Sequence, residues 1–211
     1  MADNERRQFF RTGCDVLLDV KPVDKETAEK TSAEEIFSDG NDFTLLGEFQ
    51  QLDQHCLQLS ANLGKLDKNL LDYLSLTQRK INQLSQIVMA RLPDLNALPR
   101  QRVEISENGV SFCGDRFFYL DSILALRLVF LPDYQSVVLF GKVVRCEQGA
   151  ARAATTPMAG RDLYHIAAHF LPLTESSRRV IAQQVLKAQR QAKLKQPGSG
   201  SHSAQSSREK H

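Results

Sequence analysis

The sequence predicts an α+β chain: a small six-stranded antiparallel β-barrel with a C-terminal helix, and a long coiled-coil helix inserted between its first two strands. Three observations predict it. Apolar and polar residues alternate in short segments over residues 14–23 and 101–171, the period of half-buried strands. Between those blocks the period becomes a heptad. After them, "TESSRRVIAQQVLKAQRQAKL" returns to helical spacing.

Residues 1–23 hold the segment "RRQFFR" and a first strand, "CDVLLDVKPV", closed by Pro22. Residues 24–42 form a charged, polar connector, with one helical turn expected near Ala33 to Phe37.

The heptad helix occupies residues 43–92. Its apolar seam runs through Leu45, Phe49, Leu52, Cys56, Leu59, Leu63, Leu66 and Leu70 in alternating steps of four and three. The seam continues through Leu74, Thr77, Ile81, Leu84 and Val88 with its register shifted, as after a stutter. Pro93 ends it, because the residue before a proline avoids the helical region.

A single helix of that span is ~75 Å long, more than the rest of the chain can cover. An exposed leucine seam needs a partner, so a homo-oligomer, dimer to tetramer, is expected through Leu45–Val88. The alternative is a hairpin of two shorter helices, broken near Gly64 and packed within one chain. Glycine inside a helix costs about 1 kcal/mol. The seam keeps its phase through Gly64, which favours one helix.

Residues 100–193 supply the remaining strands and the last helix. "QRVEISENGVSFC" alternates around Asn108-Gly109, a hairpin signal. "SILALRLVF" places Leu124, Leu126, Leu128 and Phe130 on one face. "SVVLFGKVVRCE" and "LYHIAAHFL" complete the set, separated by the loop "GAARAATTPMAGRD". Thr174 or a nearby serine caps the final helix, which carries Val180, Ile181, Val185 and Leu186. Six short strands of this kind suit a small barrel. Residues 194–211 are low in complexity and expected to be disordered.

Composition excludes several classes. A net charge of +2 is too small for a general polyanion binder. The strand region carries few cations (mainly Arg102, Arg116, Arg127, Lys142 and Arg145) and there is no tryptophan, which disfavours a nucleic-acid groove. The polar start lacks a secretory apolar core, and no apolar run nears the ~20 residues of a membrane span, so a cytoplasmic protein is expected. Cys14, Cys56, Cys113 and Cys146 form no C-x-x-C pair and read as buried, reduced thiols. His165 and His169 share a strand face, too far apart for an easy shared metal. With no nucleophile–base context and no phosphate loop, a binding protein without metal or cofactor is expected, not an enzyme.

Two short elements carry chemistry. "RRQFFR" places Arg6, Arg7 and Arg11 before the first strand. "EISENG", Glu104 to Gly109, joins two later strands. Together they resemble the PilZ family of bacterial cyclic di-GMP receptors, whose motifs are R-R-x-x-x-R and D/N-x-S-x-x-G in that order. Arg6, Arg7 and Arg11 match the first motif, and Ser106 and Gly109 match the second. Glu104 stands where the family has Asp or Asn. The inserted heptad helix is similar to an atypical, tetramer-forming branch of that family.

The resemblance implies a PilZ-type barrel that binds cyclic di-GMP. Guanine offers O6 and N7 as adjacent acceptors, and an arginine fork fits them or a phosphate bidentately. The arginines would latch over the ligand, anchored by Phe9 or Phe10. The Glu104 carboxylate would accept from the guanine N–H edge, one methylene further out than Asp. The Ser106 hydroxyl and the turn's N–H groups would meet phosphate, and Gly109 would turn the chain at positive φ. The alternative is a degenerate, oligomeric scaffold that binds no nucleotide and acts through protein–protein contacts.

Overall fold

The computed structural model describes residues 11–37, 41–61, 67–149 and 163–194. Six strands close into one antiparallel barrel in the order β1-β2-β3-β6-β5-β4. They are β1 (Thr12–Val23), β2 (Arg100–Ser106), β3 (Gly109–Gly114), β4 (Ile123–Phe130), β5 (Gln135–Gly149) and β6 (Leu163–Phe170). Alternation decides which side chains enter. Val16, Val103, Ile105, Phe112, Leu126 and Ile166 are buried in the core, and their neighbours face outwards. The expected face of β4 is there: Leu124, Leu126, Leu128 and Phe130 all lie in the core.

Helix α6 (Glu175–Leu194) seals the barrel. Thr174 caps it, its Oγ1 accepting from the Ser177 N–H at 3.2 Å. Ile181 and Val185 enter the barrel core. Gln184 donates to Gln135 at 2.8 Å, and Lys187 pairs with Asp133. Leu186, expected on the packed face, is instead exposed.

The connector after β1 folds as α1 (Lys25–Lys30) and α2 (Ala33–Ile36), so the helical turn expected near Ala33 is present. The single long helix is not. The segment forms α3 (Asn41–Ala61) and α4 (Lys68–Met89), followed by the short α5 (Pro93–Ala97). Residues 62–66, including Gly64, lie outside the described residues. Asp67 marks the break: its backbone is extended, and its carboxylate accepts from the N–H groups of Asn69 at 2.8 Å and Leu70 at 3.3 Å. That is an N-cap starting a new helix.

Gln78 of α4 donates to Asp53 of α3 at 3.5 Å. Nearer the barrel, Leu46 and Phe49 share a cleft with Ser85 and Met89. Residue numbers rise on one helix as they fall on the other, so the two helices form an antiparallel hairpin.

The hairpin is rooted on the outer wall of β1 and β4, where Leu17 and Val129 pack with Leu46, Met89 and Leu95. Arg127 of β4 completes the root. It is 4% exposed, and its guanidinium carbon lies 4.4 Å from the Phe37 ring centroid and 3.7 Å from that of Phe43. It also donates to the Phe37 carbonyl. Beyond this root the seam is bare: Leu52 is 61% exposed, Ile81 49% and Leu84 56%.

The four cysteines are free. They are not the uniformly buried thiols expected, since Cys56 lies on the exposed side of α3 and the others are only half-buried. Burial pushes the Cys14 thiol up to about 11, which keeps it protonated at neutral pH.

Arg127→Ala should lower stability by about 2–4 kcal/mol, because it deletes a desolvated cation–π sandwich and leaves a buried carbonyl without its donor. Arg127→Lys should recover only part of that loss, lacking the flat stacking surface. Urea denaturation of the variants measures both.

Candidate functional site

The outer wall of the barrel has two unlike halves. Helices cover the outside of β1 and β4 around Leu17 and Val129. On β2 the outward residues Arg100, Arg102 and Glu104 are exposed, while Val103 and Ile105 point inwards.

Strand register assembles these outward residues into rows. Glu104 stands opposite Gly13 on β1 and Ser111 on β3. Ser111 stands opposite Ala167 on β6, and Ala167 opposite Arg145 on β5. The neighbouring row runs from Ser106 to Gly109, then His169, then Lys142. Thr12 pairs with Ile105, so the same antiparallel register carries Arg11 to the position facing Ser106. Of the first element only Arg11 is described, and it lies at the end of β1 beside the Ser106 end of β2. Arg11 is exposed there. Arg6 and Arg7, with Phe9 and Phe10, lie outside the described residues.

The floor of the wall is made of small residues: Gly13, Gly109, Ser111 and Ala167. Two glycines have distinct reasons to be there. A Cβ on Gly13 would sit 2.8 Å from Nε and Nη2 of Arg102, so this glycine makes room for a guanidinium lying across β1. A Cβ on Gly109 would sit 2.6 Å from the backbone oxygen of Ala168. Gly109 is not at positive φ, contrary to the expectation for it. The two-residue loop is Glu107–Asn108, Ser106 and Gly109 are paired, and glycine is needed for close approach to β6.

Ser106 is 8% exposed, and its Oγ donates to the Gly109 carbonyl at 3.3 Å. The hydroxyl is thus turned into its own hairpin, not displayed on the wall. The Glu104 side chain is exposed and open to a ligand.

The structure brings in residues that the motifs do not name. Arg102 joins through its alternation with Glu104. His169 joins through β6, its Nδ1 3.2 Å from the Asn108 carbonyl. It also lines an open cleft of about 500 Å³ with Glu107 and with Arg178 of α6. Outward alternation on β2 is legible in sequence. The register that seats His169 beside Gly109 is not.

A cleft of about 530 Å³ lies under α3 beside Arg127 and contains no residue of either motif. His165 sits 3.8 Å from the Cys113 sulfur, so the two histidines have separate partners. Among the described residues, no group of three His, Cys, Asp or Glu side chains could hold a metal.

No family model matches the chain, and no curated protein matches it. Solved structures do. A tetrameric PilZ domain protein from Xanthomonas campestris, self-assembled through a helical bundle, is 12% identical over 89% of this chain and 91% of its own, with a TM-score of 0.49. The PilZ domain of Escherichia coli YcgR with c-di-GMP is 12% identical over 49% of this chain and 81% of its own, with a TM-score of 0.36. The chain is therefore similar to solved PilZ domains, at scores that describe general shape alone.

Gly109→Ala should destabilise the barrel by about 1–3 kcal/mol, because backbone atoms cannot give way. Gly13→Ala should cost several-fold less, since the Arg102 side chain can swing aside. Thermal denaturation of the two variants compares them directly.

Proposed function

We propose that this chain is a PilZ-type receptor that binds cyclic di-GMP in the cytoplasm and self-associates through its helical hairpin. It acts by binding, not by catalysis. The observation that carries this reading is the β1–β2 register: Thr12 pairs with Ile105, which puts Arg11 one residue further along, at the Ser106 end of β2, while Glu104 lies exposed one row away. A guanidinium fork and a carboxylate on one wall match the two edges of guanine, and the remaining cations match its phosphates.

Oligomerisation draws its support from the bare seam. Leu70, Leu74, Ile81, Leu84 and Val88 are exposed along α4, more apolar surface than a monomer usually presents. A second reading, an oligomeric scaffold without nucleotide, draws on Ser106. Its hydroxyl is spent within the hairpin, and the longer Glu104 displaces the carboxylate from the family position.

Isothermal calorimetry with cyclic di-GMP distinguishes the two readings. Micromolar binding is expected, weakened at least about tenfold by Arg11→Ala through loss of one charge-assisted contact. Glu104→Asp should tighten it. Silence from the intact protein would end the receptor reading, and binding by the Asp variant alone would mark a decayed site.

Light scattering should give a multiple of the 23.7 kDa chain mass, and the pair Ile81→Glu with Leu84→Glu should give the monomer. A wild-type monomer at micromolar concentration would remove the assembly half of the proposal.

A further inference from the structure

We infer that His169 is a further ligand-contacting residue, and that its protonation makes anion binding on this wall depend on pH. The inference deepens the receptor reading and rests on it. His169 stands directly opposite Gly109 across β3 and β6, in the row that Arg11 and Ser106 begin. Its Nδ1 lies 3.2 Å from the Asn108 carbonyl, which can only accept. That contact therefore assigns the proton of the neutral ring to Nδ1. Nε2 then carries a lone pair when the ring is neutral and a second N–H when it is charged. A phosphate oxygen beside Nε2 meets repulsion in the first state and a charge-assisted hydrogen bond in the second.

The surroundings act in the same direction once an anion is bound. Lys142 faces the ring from β5, and Arg178 from α6 across the shared cleft. Among the described residues, Glu107 on the β2–β3 turn is the carboxylate lining that cleft. Lys142 is itself paired with Asp121 at 2.6 Å. A dianion placed among these cations relieves their repulsion of an imidazolium, so proton and ligand should bind cooperatively. The phosphodiesters of cyclic di-GMP keep their charge throughout the range in which histidine titrates, so the ligand adds no slope of its own.

The sign follows. Affinity is greatest below the imidazole range and falls as pH rises through it. Calorimetry with cyclic di-GMP should show about tenfold weaker binding near pH 8 than near pH 6. His169→Gln should bind weakly at both values and lose the slope. His169→Arg, permanently charged and still able to donate to Asn108, should bind tightly at both. His165→Gln, on the same face beside Cys113, should keep the wild-type slope.

A wild-type protein whose affinity does not change with pH, or a slope that survives in His169→Gln, overturns the role of His169 while leaving the receptor reading intact. Absence of binding at both pH values overturns the receptor reading itself.

Discussion

Arg127 sets the plan of the molecule. A guanidinium in the middle of a strand, 4% exposed, is tolerated only where its charge and donors are met. The Phe37 and Phe43 rings sandwich it, and the Phe37 carbonyl accepts from it. Those partners lie at the end of the connector helix α2 and in the first turn of α3. The contact therefore fixes where the inserted helices meet the barrel. Leu17, Val129 and Met89 then extend that root as ordinary apolar packing. With the helices committed to the β1–β4 side, the open surface is left to β2, β3 and β6, where the candidate site forms.

The chemistry of the site follows from register more than from any single side chain. Antiparallel pairing sets residues directly opposite one another, so an outward row crosses strands that are remote in sequence. Glu104, Ser111 and Ala167 share one row, and Ser106, Gly109 and His169 the next. The Ala168 carbonyl, 2.6 Å from where a Gly109 Cβ would be, shows how tightly β3 is drawn against β6. This closeness holds the turn carbonyl of Asn108 against the His169 ring.

Much of the architecture was legible because strand alternation is a local property. Leu124 to Phe130 reads as an inward face and is one, and Thr174 reads as a cap and is one. The helical hairpin was harder. A heptad records which residues share an apolar face, not whether the chain doubles back. The phase through Gly64 suits one helix or two equally well. Asp67 carried the missing signal, a capping residue inside the periodic run. Arg127 was read only as a strand cation, since nothing local reveals that two distant phenylalanines will cover it. At the candidate site, the motifs name Arg11, Glu104 and the turn. His169 and Arg102 required the register. The positive φ assigned to Gly109 failed because a glycine is equally a mark of close approach.

β1 is the element shared by both halves of the outer wall. Gly13 and Asp15 face the site, and two residues on, along the same outward stripe, Leu17 faces the helices. Such continuity invites the idea that a ligand signals by shifting the strand. The ladder argues otherwise. β1 is hydrogen-bonded to β2 over Thr12–Leu17 and to β4 over Val16–Val23. Moving it would break pairing on both sides and drag Leu17 out of its cluster. A ligand supplies only its difference in affinity between two states, and a strand locked on both edges offers no second state at small cost. On the receptor reading, the cheaper consequence of binding is electrostatic. An anion seated among Arg11, Arg102 and His169 offsets the positive charge of the open wall while the barrel and its hairpin stay as they are. The readout then belongs to whatever surface approaches that wall, and on the proposed self-association the hairpin would set how many such walls one particle presents.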